Sequence, residues 1–237
     1  MNALPGTKAR RRIYLMRHGH VDYFRDAPRM GGADFVRLTP QGHEEAQAAG
    51  EALSHIPFDR AVISGLPRTR LTAEEVLAVQ EAPAPELEEE PRLKEIGGGR
   101  PLRLDSRAEM AAAIAQAMDR AADPGACIGE EGESFAAALA RSSAAFTELL
   151  AAPDWVRMLI VAHEGINRVL LSWACGAGLR AAGAFEQDTG CINVLDVDMD
   201  EAGRARRIIL KSVNLTPWDY TKHGMNRTSL EAIFAVE

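Results

Sequence analysis

Ile13-Tyr14-Leu15-Met16-Arg17-His18-Gly19-His20 is the stretch from which the architecture can be read. Four consecutive apolar residues, stopped abruptly by charged and small ones, describe a strand buried on both faces, as parallel strands of α/β proteins are. Ligands of open α/β sheets gather at the C-terminal ends of such strands. The turn Arg17-His18-Gly19-His20 is therefore a candidate site. The same pattern returns at Val156 to Val161, an apolar run ending in Ala162-His163-Glu164-Gly165, with a helix expected from Ile166 to Ala174.

Working outward from these two runs, strands alternate with helices. After the His20 turn the chain reads as a long polar loop. Thr39-Pro40-Gln41-Gly42 then opens a helix with Ala46, Ala49 and Leu53 on one face, proline being tolerated in a first turn. Arg60 to Ile63 makes a short strand, and Thr69 to Gln80 a helix with Glu74-Glu75 on its solvated side. Pro83, Pro85 and Pro91 bracket the acidic run Glu86 to Glu90, an extended connection or edge strand. Ser106-x-x-Glu109 is a capping box leading a helix that carries Met110, Ile114, Ala117 or Met118, and Ala121. A second helix carries Phe135, Leu139, Phe146 and Leu149 or Leu150, stripes that belong to a core. Two further strands, Ile192 to Val197 and Ile208 to Val213, flank a turn containing Gly203. The pattern predicts a single domain, residues 1–237, folded as a three-layer α/β/α sandwich. Its central sheet is mostly parallel, and a helical insertion at about 96–152 would cap the site.

Composition narrows the function. The 237 residues, with 46% hydrophobic and 26% charged side chains, suit a folded globular chain. A net charge of −7 gives no footprint for a nucleic-acid or anionic-membrane partner, so an anionic substrate must be met by local arginines. Cys127, Cys175 and Cys191 are odd in number and widely spaced, matching neither a disulfide framework nor a zinc ribbon, which predicts a reducing, cytoplasmic setting. The basic start Lys8 to Arg12 is followed by only four apolar residues, so no export signal is expected, and no apolar run approaches the roughly 20 residues of a membrane span. Oligomeric state is not legible.

His18 and His163 both follow short apolar strands, Arg17 precedes the first, and the junction Ser64-Gly65-Leu66-Pro67-Arg68 places another arginine at an equivalent point. A sheet can bring all four together. Guanidinium forks match phosphoryl oxygens, helix N-termini add N–H donors, and a neutral imidazole can attack phosphorus. That set describes a phosphate site.

At this point the chain resembles the histidine phosphatase superfamily, the phosphoglycerate mutase-like group. The resemblance runs through Leu15-Met16-Arg17-His18-Gly19, Leu38-Thr39-Pro40-Gln41-Gly42 with Glu45-Ala46, and Ser64-Gly65-Leu66-Pro67-Arg68-Thr69 with Thr72-Ala73. It continues through Leu93-Lys94-Glu95-Ile96, Gly132-Glu133-Ser134 with Arg141, and Val161-Ala162-His163-Glu164-Gly165. An isolated Arg-His-Gly triplet is weak, whereas segments in family order over most of the chain are specific. The resemblance implies His18 as nucleophile, Arg17 and Arg68 as phosphoryl ligands, His163 as a further catalytic and phosphate-binding donor, and Glu95 as general acid. It implies a small phosphorylated substrate and neither cofactor nor metal.

The chain also departs from the family. His20 stands where many relatives have an acidic residue or Gln, and Phe24 where many have a phosphate-binding Asn. Gly97-Gly98-Gly99-Arg100-Pro101, read as a flexible loop with a basic tail, replaces the usual Gly-x-Trp-Glu-Gly. The segments that would hold a mutase's second phosphate find no match, so hydrolysis is expected over mutase-type transfer. Two other classes stay open: a phospho-ligand binding module without turnover, and a metal-dependent hydrolase built on the H-x-H-x-D string His18, His20 and Asp22. Arg17 and Arg68 would repel that cation. Arg100, Arg103 and Arg107 read as a solvated basic turn, Arg70 as surface, Trp218 and Tyr220 as packing, and His43, His55 and His223 carry no role.

Overall fold

The computed structural model describes residues 7–100 and 106–234. Its centre is a six-stranded sheet: β1 (Ala9–Arg17), β2 (Arg60–Ile63), β3 (Leu87–Glu89), β4 (Arg157–Ala162), β5 (Ile192–Met199) and β6 (Ala205–Leu215), in the order β3-β2-β4-β1-β5-β6. The β3, β2, β4 and β1 strands are mutually parallel, while β5 runs against both β1 and β6. Among the described residues there are seven α-helices: α1 (Tyr23–Met30), α2 (Pro40–Leu53), α3 (Pro67–Ala78), α4 (Arg107–Asp119), α5 (Phe135–Ala151), α6 (Glu164–Ala174) and α7 (Ser229–Phe234).

Strand alternation explains the layers. Ile13 and Leu15 of β1, with Met158, Ile160 and Ala162 of β4, face one way and pack on Phe135, Phe146, Leu150, Ile166 and Leu170 of α5 and α6. Tyr14, Met16, Leu159 and Val161 face the other way, onto Ala49 and Leu53 of α2 and Ala73, Val76 and Leu77 of α3. Both faces of each central strand are thus dry, which is why Ile13 to Met16 and Met158 to Val161 read as unbroken apolar runs. The expected three-layer α/β sandwich is the observed fold.

The acidic run between prolines forms β3 at the sheet edge, and Ser106 caps α4 by accepting a hydrogen bond from the Glu109 N–H. Thr39 and Ser134 cap α2 and α5 in the same way. Helix starts lie a little earlier than expected, at Pro67 and Glu164, and Val156 lies outside β4. The stretch read as a long polar loop after His20 instead contains α1 and a short 3-10 turn, Ala33–Phe35. Asp22 caps α1 by accepting from the Arg25 N–H, and Gly31 closes it in the left-handed region at φ 87°. Its apolar positions Tyr23, Ala27 and Met30 do follow helical spacing, but the helix is only eight residues long and holds Pro28, so the pattern is too short to stand out from a polar loop.

Two close approaches fix the sheet's C-terminal edge. A Cβ on Gly19 would lie 2.3 Å from the Gly42 carbonyl oxygen, and one on Gly42 would lie 2.2 Å from that of His20. The two glycines let the turn after β1 sit directly on the first turn of α2. The triple-glycine loop is also packed: Gly97 accepts from the Glu133 N–H, Arg100 pairs with Glu130, and Gly99 at φ 68° abuts Gly132. The loop read as flexible is tied down by these backbone contacts at Gly97, Gly99 and Arg100, glycine permitting close backbone stacking, while Pro101 lies outside the described residues. Arg100 pairs with Glu131, Arg107 stacks over Phe24, and Arg103 lies outside the described residues. Among the described residues no helix is long and apolar enough to cross a membrane.

Candidate active site

Parallel strands β1, β2 and β4 end side by side. β1 delivers Arg17 and His18, β2 passes through Ser64 into the first turn of α3 and Arg68, and β4 hands over to His163 at the start of α6. All four expected side chains lie together, with Arg17 and His18 2%, Arg68 3% and His163 0% exposed. The two imidazoles meet edge to face at 5.2 Å between centroids.

The hydrogen bonds specify which nitrogens carry protons. His18 Nδ1 lies 2.8 Å from the Gly19 carbonyl oxygen. A carbonyl can only accept, so Nδ1 holds the hydrogen and Nε2 keeps its lone pair. Burial, joined by the charges of Arg68 and Arg17, holds the His18 pKa well below the usual 6.5 and keeps the ring neutral. His163 Nε2 lies 2.7 Å from Ser64 Oγ. Thr69 Oγ1 donates to the Leu66 carbonyl and so accepts from Ser64, whose oxygen is then left to accept from His163 Nε2–H. Nδ1 of the neutral ring is the bare nitrogen. Burial, Arg68 and His18 also push the His163 pKa well down.

The guanidinium groups are held by main-chain and acidic partners. Arg17 donates to the Gln187 carbonyl and pairs with Glu164 Oε2 at 3.1 Å. Asn193 fixes Gln187 through both ends of its side-chain amide. Glu164 also receives Arg168 at 2.9 Å and the Ser229 hydroxyl at 2.9 Å, so a buried ionic chain braces Arg17 from behind. Arg68 donates to the Ala33 carbonyl and sits over the Tyr23 ring. Arg17 Nε, Arg68 Nε and His163 Nδ1 are buried without a hydrogen-bond partner. Unsatisfied buried polar atoms are rare, and three at one strand edge mark a place shaped for a ligand.

Glu95 lies on the segment after β3, with its carboxylate at the start of α6. It accepts from the N–H groups of Ile96, Gly165 and Ile166 at 2.9, 3.1 and 3.2 Å. Burial raises its pKa above 4.5, with the backbone donors opposing in part. Arg141 holds the segment by donating to the carbonyls of Arg92 and Glu95 while pairing with Glu133. Two members of the H-x-H-x-D string serve other ends: Asp22 caps α1, and His20 Nδ1 bonds Thr39 Oγ1 at 2.8 Å. Among the described residues, no group of three or more His, Cys, Asp and Glu side chains is placed to hold a metal.

Sequence reading missed Tyr23, Glu164 and Thr189 as parts of this neighbourhood. Glu164 adjoins His163 in a segment already singled out, and that adjacency was the available signal. Thr189 binds Glu45, which also accepts the His20 N–H, a long-range link that no local pattern reveals. A cavity of about 900 Å³ is walled by the start of α1, Arg107 and the segment from Trp218 to Ile233, and Arg17, His18, Arg68 and His163 do not line it. His20 and Tyr23 belong to its lining and connect it to the strand ends. Trp218 bonds the Thr189 carbonyl, Tyr220 is exposed, and Arg70 pairs with Glu89 at the surface.

Comparison with known proteins agrees with this geometry. Residues 13–208 match the model of the histidine phosphatase superfamily, branch 1. An adenosylcobalamin/alpha-ribazole phosphatase of Salmonella typhi is 30% identical over 78% of this chain and 90% of its own length. A 2-carboxy-D-arabinitol-1-phosphatase of Triticum aestivum is 26% identical over 90% of this chain. The chain spans only about 42% of the length of that protein and of a similarly named relative from Arabidopsis thaliana. Among solved structures, a mycobacterial glucosyl-3-phosphoglycerate phosphatase superposes with a TM-score of 0.70 at 25% identity, covering 87% of this chain and 99% of its own. With its fold, its paired histidines and a family match over most of its length, the chain belongs to the histidine phosphatase superfamily.

Proposed function

We propose that the protein is a metal-independent phosphomonoesterase acting on a small phosphorylated metabolite through a phosphohistidine on His18. The observation that carries this reading is the trio of unpartnered buried nitrogens on Arg17, Arg68 and His163 beside a neutral His18 whose Nε2 is unprotonated. A phosphoryl dianion supplies the acceptors that the two arginine nitrogens lack. It also reverses the local charge, so His163 gains its Nδ1 proton as the anion enters and becomes a third cationic donor.

In the first step His18 Nε2 attacks phosphorus, the ester P–O bond breaks, and the leaving oxygen takes the proton of Glu95. In the second, water attacks the phosphohistidine, Glu95 takes a proton from that water, the P–N bond breaks, and inorganic phosphate departs. Fixed positive charge suits the loose transition state of phosphoryl transfer, and the raised pKa of Glu95 suits a proton donor. The cavity beside the site leaves room for an organic group larger than three carbons, in keeping with the sugar- and ribazole-type phosphates named for the relatives. In the same reading, residues 1–237 form one domain; of the stretch expected at about 96–152 to cap the site, α4 borders the cavity through Arg107, whereas α5 is a core helix packed on β1 and β4.

The test is hydrolysis of an aryl phosphate with and without EDTA, with acid-labile phosphate labelling of wild type and His18→Ala. EDTA-resistant turnover and a label lost in His18→Ala are expected. Turnover that needs a metal, or persists in His18→Ala, would remove this mechanism, and phosphate binding without turnover would leave a binding module.

A further inference from the structure

Tyr23 is a polar side chain beside Arg68 that the mechanism leaves unused. It opens α1 directly after the Asp22 cap, five residues beyond His18. Its ring lies beneath Arg68, with the guanidinium carbon 5.6 Å from the ring centroid, so the tyrosine and the phosphoryl-binding arginine form one surface. The same residue lines the cavity that His20 also borders, so it stands between that cavity and Arg68. Phe24, its neighbour, turns outward instead: it is 40% exposed and is stacked by Phe234 and Arg107.

The phenol oxygen makes no hydrogen bond with any described residue, while Arg68, Arg17, Glu95 and Glu164 all act on it electrostatically. Tyr23 is half-buried and borders the cavity, so its hydroxyl is accessible to a ligand. Burial raises the Tyr23 pKa above 10, so the group remains an O–H donor throughout the working range of a histidine nucleophile.

We infer that Tyr23 is a further phosphoryl-pocket residue whose hydroxyl donates to a non-bridging oxygen of the bound phosphoryl group while its ring holds Arg68 in place. The inference rests on the phosphoryl-binding reading of the site, and its test separates the two. Inorganic phosphate binding is measured by calorimetry, and aryl phosphate hydrolysis by initial rates, for wild type, Tyr23→Phe and Tyr23→Ala. Tyr23→Phe keeps the ring and removes the donor. Its phosphate Kd is expected to weaken by about tenfold and its kcat/KM to fall about 10- to 100-fold, the scale of one hydrogen bond to a charged acceptor, with the thermal midpoint unchanged. Tyr23→Ala is expected to lose more, because Arg68 also loses its support.

A Tyr23→Phe enzyme within twofold of wild type in both readouts would overturn the role of the hydroxyl. Equal losses in Tyr23→Phe and Tyr23→Ala would overturn the role of the ring. If wild type binds phosphate without turnover, the phosphatase reading fails while the Kd values still judge Tyr23. If wild type neither binds phosphate nor turns over, both fall.

Discussion

Glu95 and His18 are opposed in their protonation needs, and their surroundings meet both. A proton donor must stay protonated and a nucleophile must stay neutral. Burial pushes the carboxyl pKa up, while burial and two arginines push the imidazole pKa down. The active form therefore exists above the lowered pKa of His18 and below the raised pKa of Glu95. As pH rises through the latter, kcat/KM falls. Glu95→Gln cannot donate a proton and is expected to lose that alkaline limb. Its loss depends on the leaving group: about 100-fold or more for an alkyl phosphate, whose alkoxide needs a proton, and much less for a nitrophenyl phosphate, whose anion leaves unaided. Rates with both substrates over pH 4 to 9 check this, and equal losses on the two would take the donor role from Glu95.

Elements position these residues through close packing that local sequence only partly discloses. β1 and β4 were legible because burial on both faces leaves an unmistakable apolar run, and α2, α4 and α5 because apolar stripes and caps mark them. Helix α1 was not legible, since its eight residues are interrupted by Pro28 and its order depends on an Asp cap, a left-handed glycine and contacts with distant α7. The brace of Arg17 by Glu164, and of the Glu95 segment by Arg141, joins residues far apart in the chain. Gly165 illustrates the precision required. A Cβ there would lie 2.7 Å from Glu95 Oε1 and 3.0 Å from Ile96 Cδ1, so the glycine lets the carboxylate reach the start of α6. Gly165→Ala places a better helix former in α6 and moves only the end of a side chain. Its stability is expected within about 1 kcal/mol of wild type. Alkyl phosphate turnover is expected to fall about tenfold or more, as for a misplaced proton donor. Urea melts beside steady-state kinetics separate the two effects, and an active Gly165→Ala enzyme would show that Glu95 needs no such approach.

At the scale of the whole molecule, the site is a cost built into the fold. His18 and His163 are buried beside Arg17 and Arg68, and both have pKa values well below the unfolded value of about 6.5. Below pH 6.5 the unfolded chain binds protons that these two rings refuse, so stability is full above that pH and is lost as pH falls. Well below 6.5 each ring contributes about 1.4 kcal/mol per pH unit, a slope that persists until its own folded-state pKa is reached. Between pH 6.5 and 5 these rings, joined by His20 whose pKa burial also lowers, are expected to dominate, because ion-paired carboxylates such as Glu186 and Asp198 titrate mainly lower. Inorganic phosphate should act in the opposite sense. It binds only the folded site, which stabilises by mass action, and its negative charge raises both imidazole pKa values toward the unfolded one, which flattens the slope. Urea unfolding at pH 7.5, 6.5 and 5.5, with and without saturating phosphate, measures both effects. The expected result is a steep loss of stability on acidification in the empty protein, a shallower one in the phosphate-bound protein, and a clearly reduced slope in His163→Gln. A slope that neither phosphate nor this substitution changes would mean that the two histidines are not the groups that resist protonation.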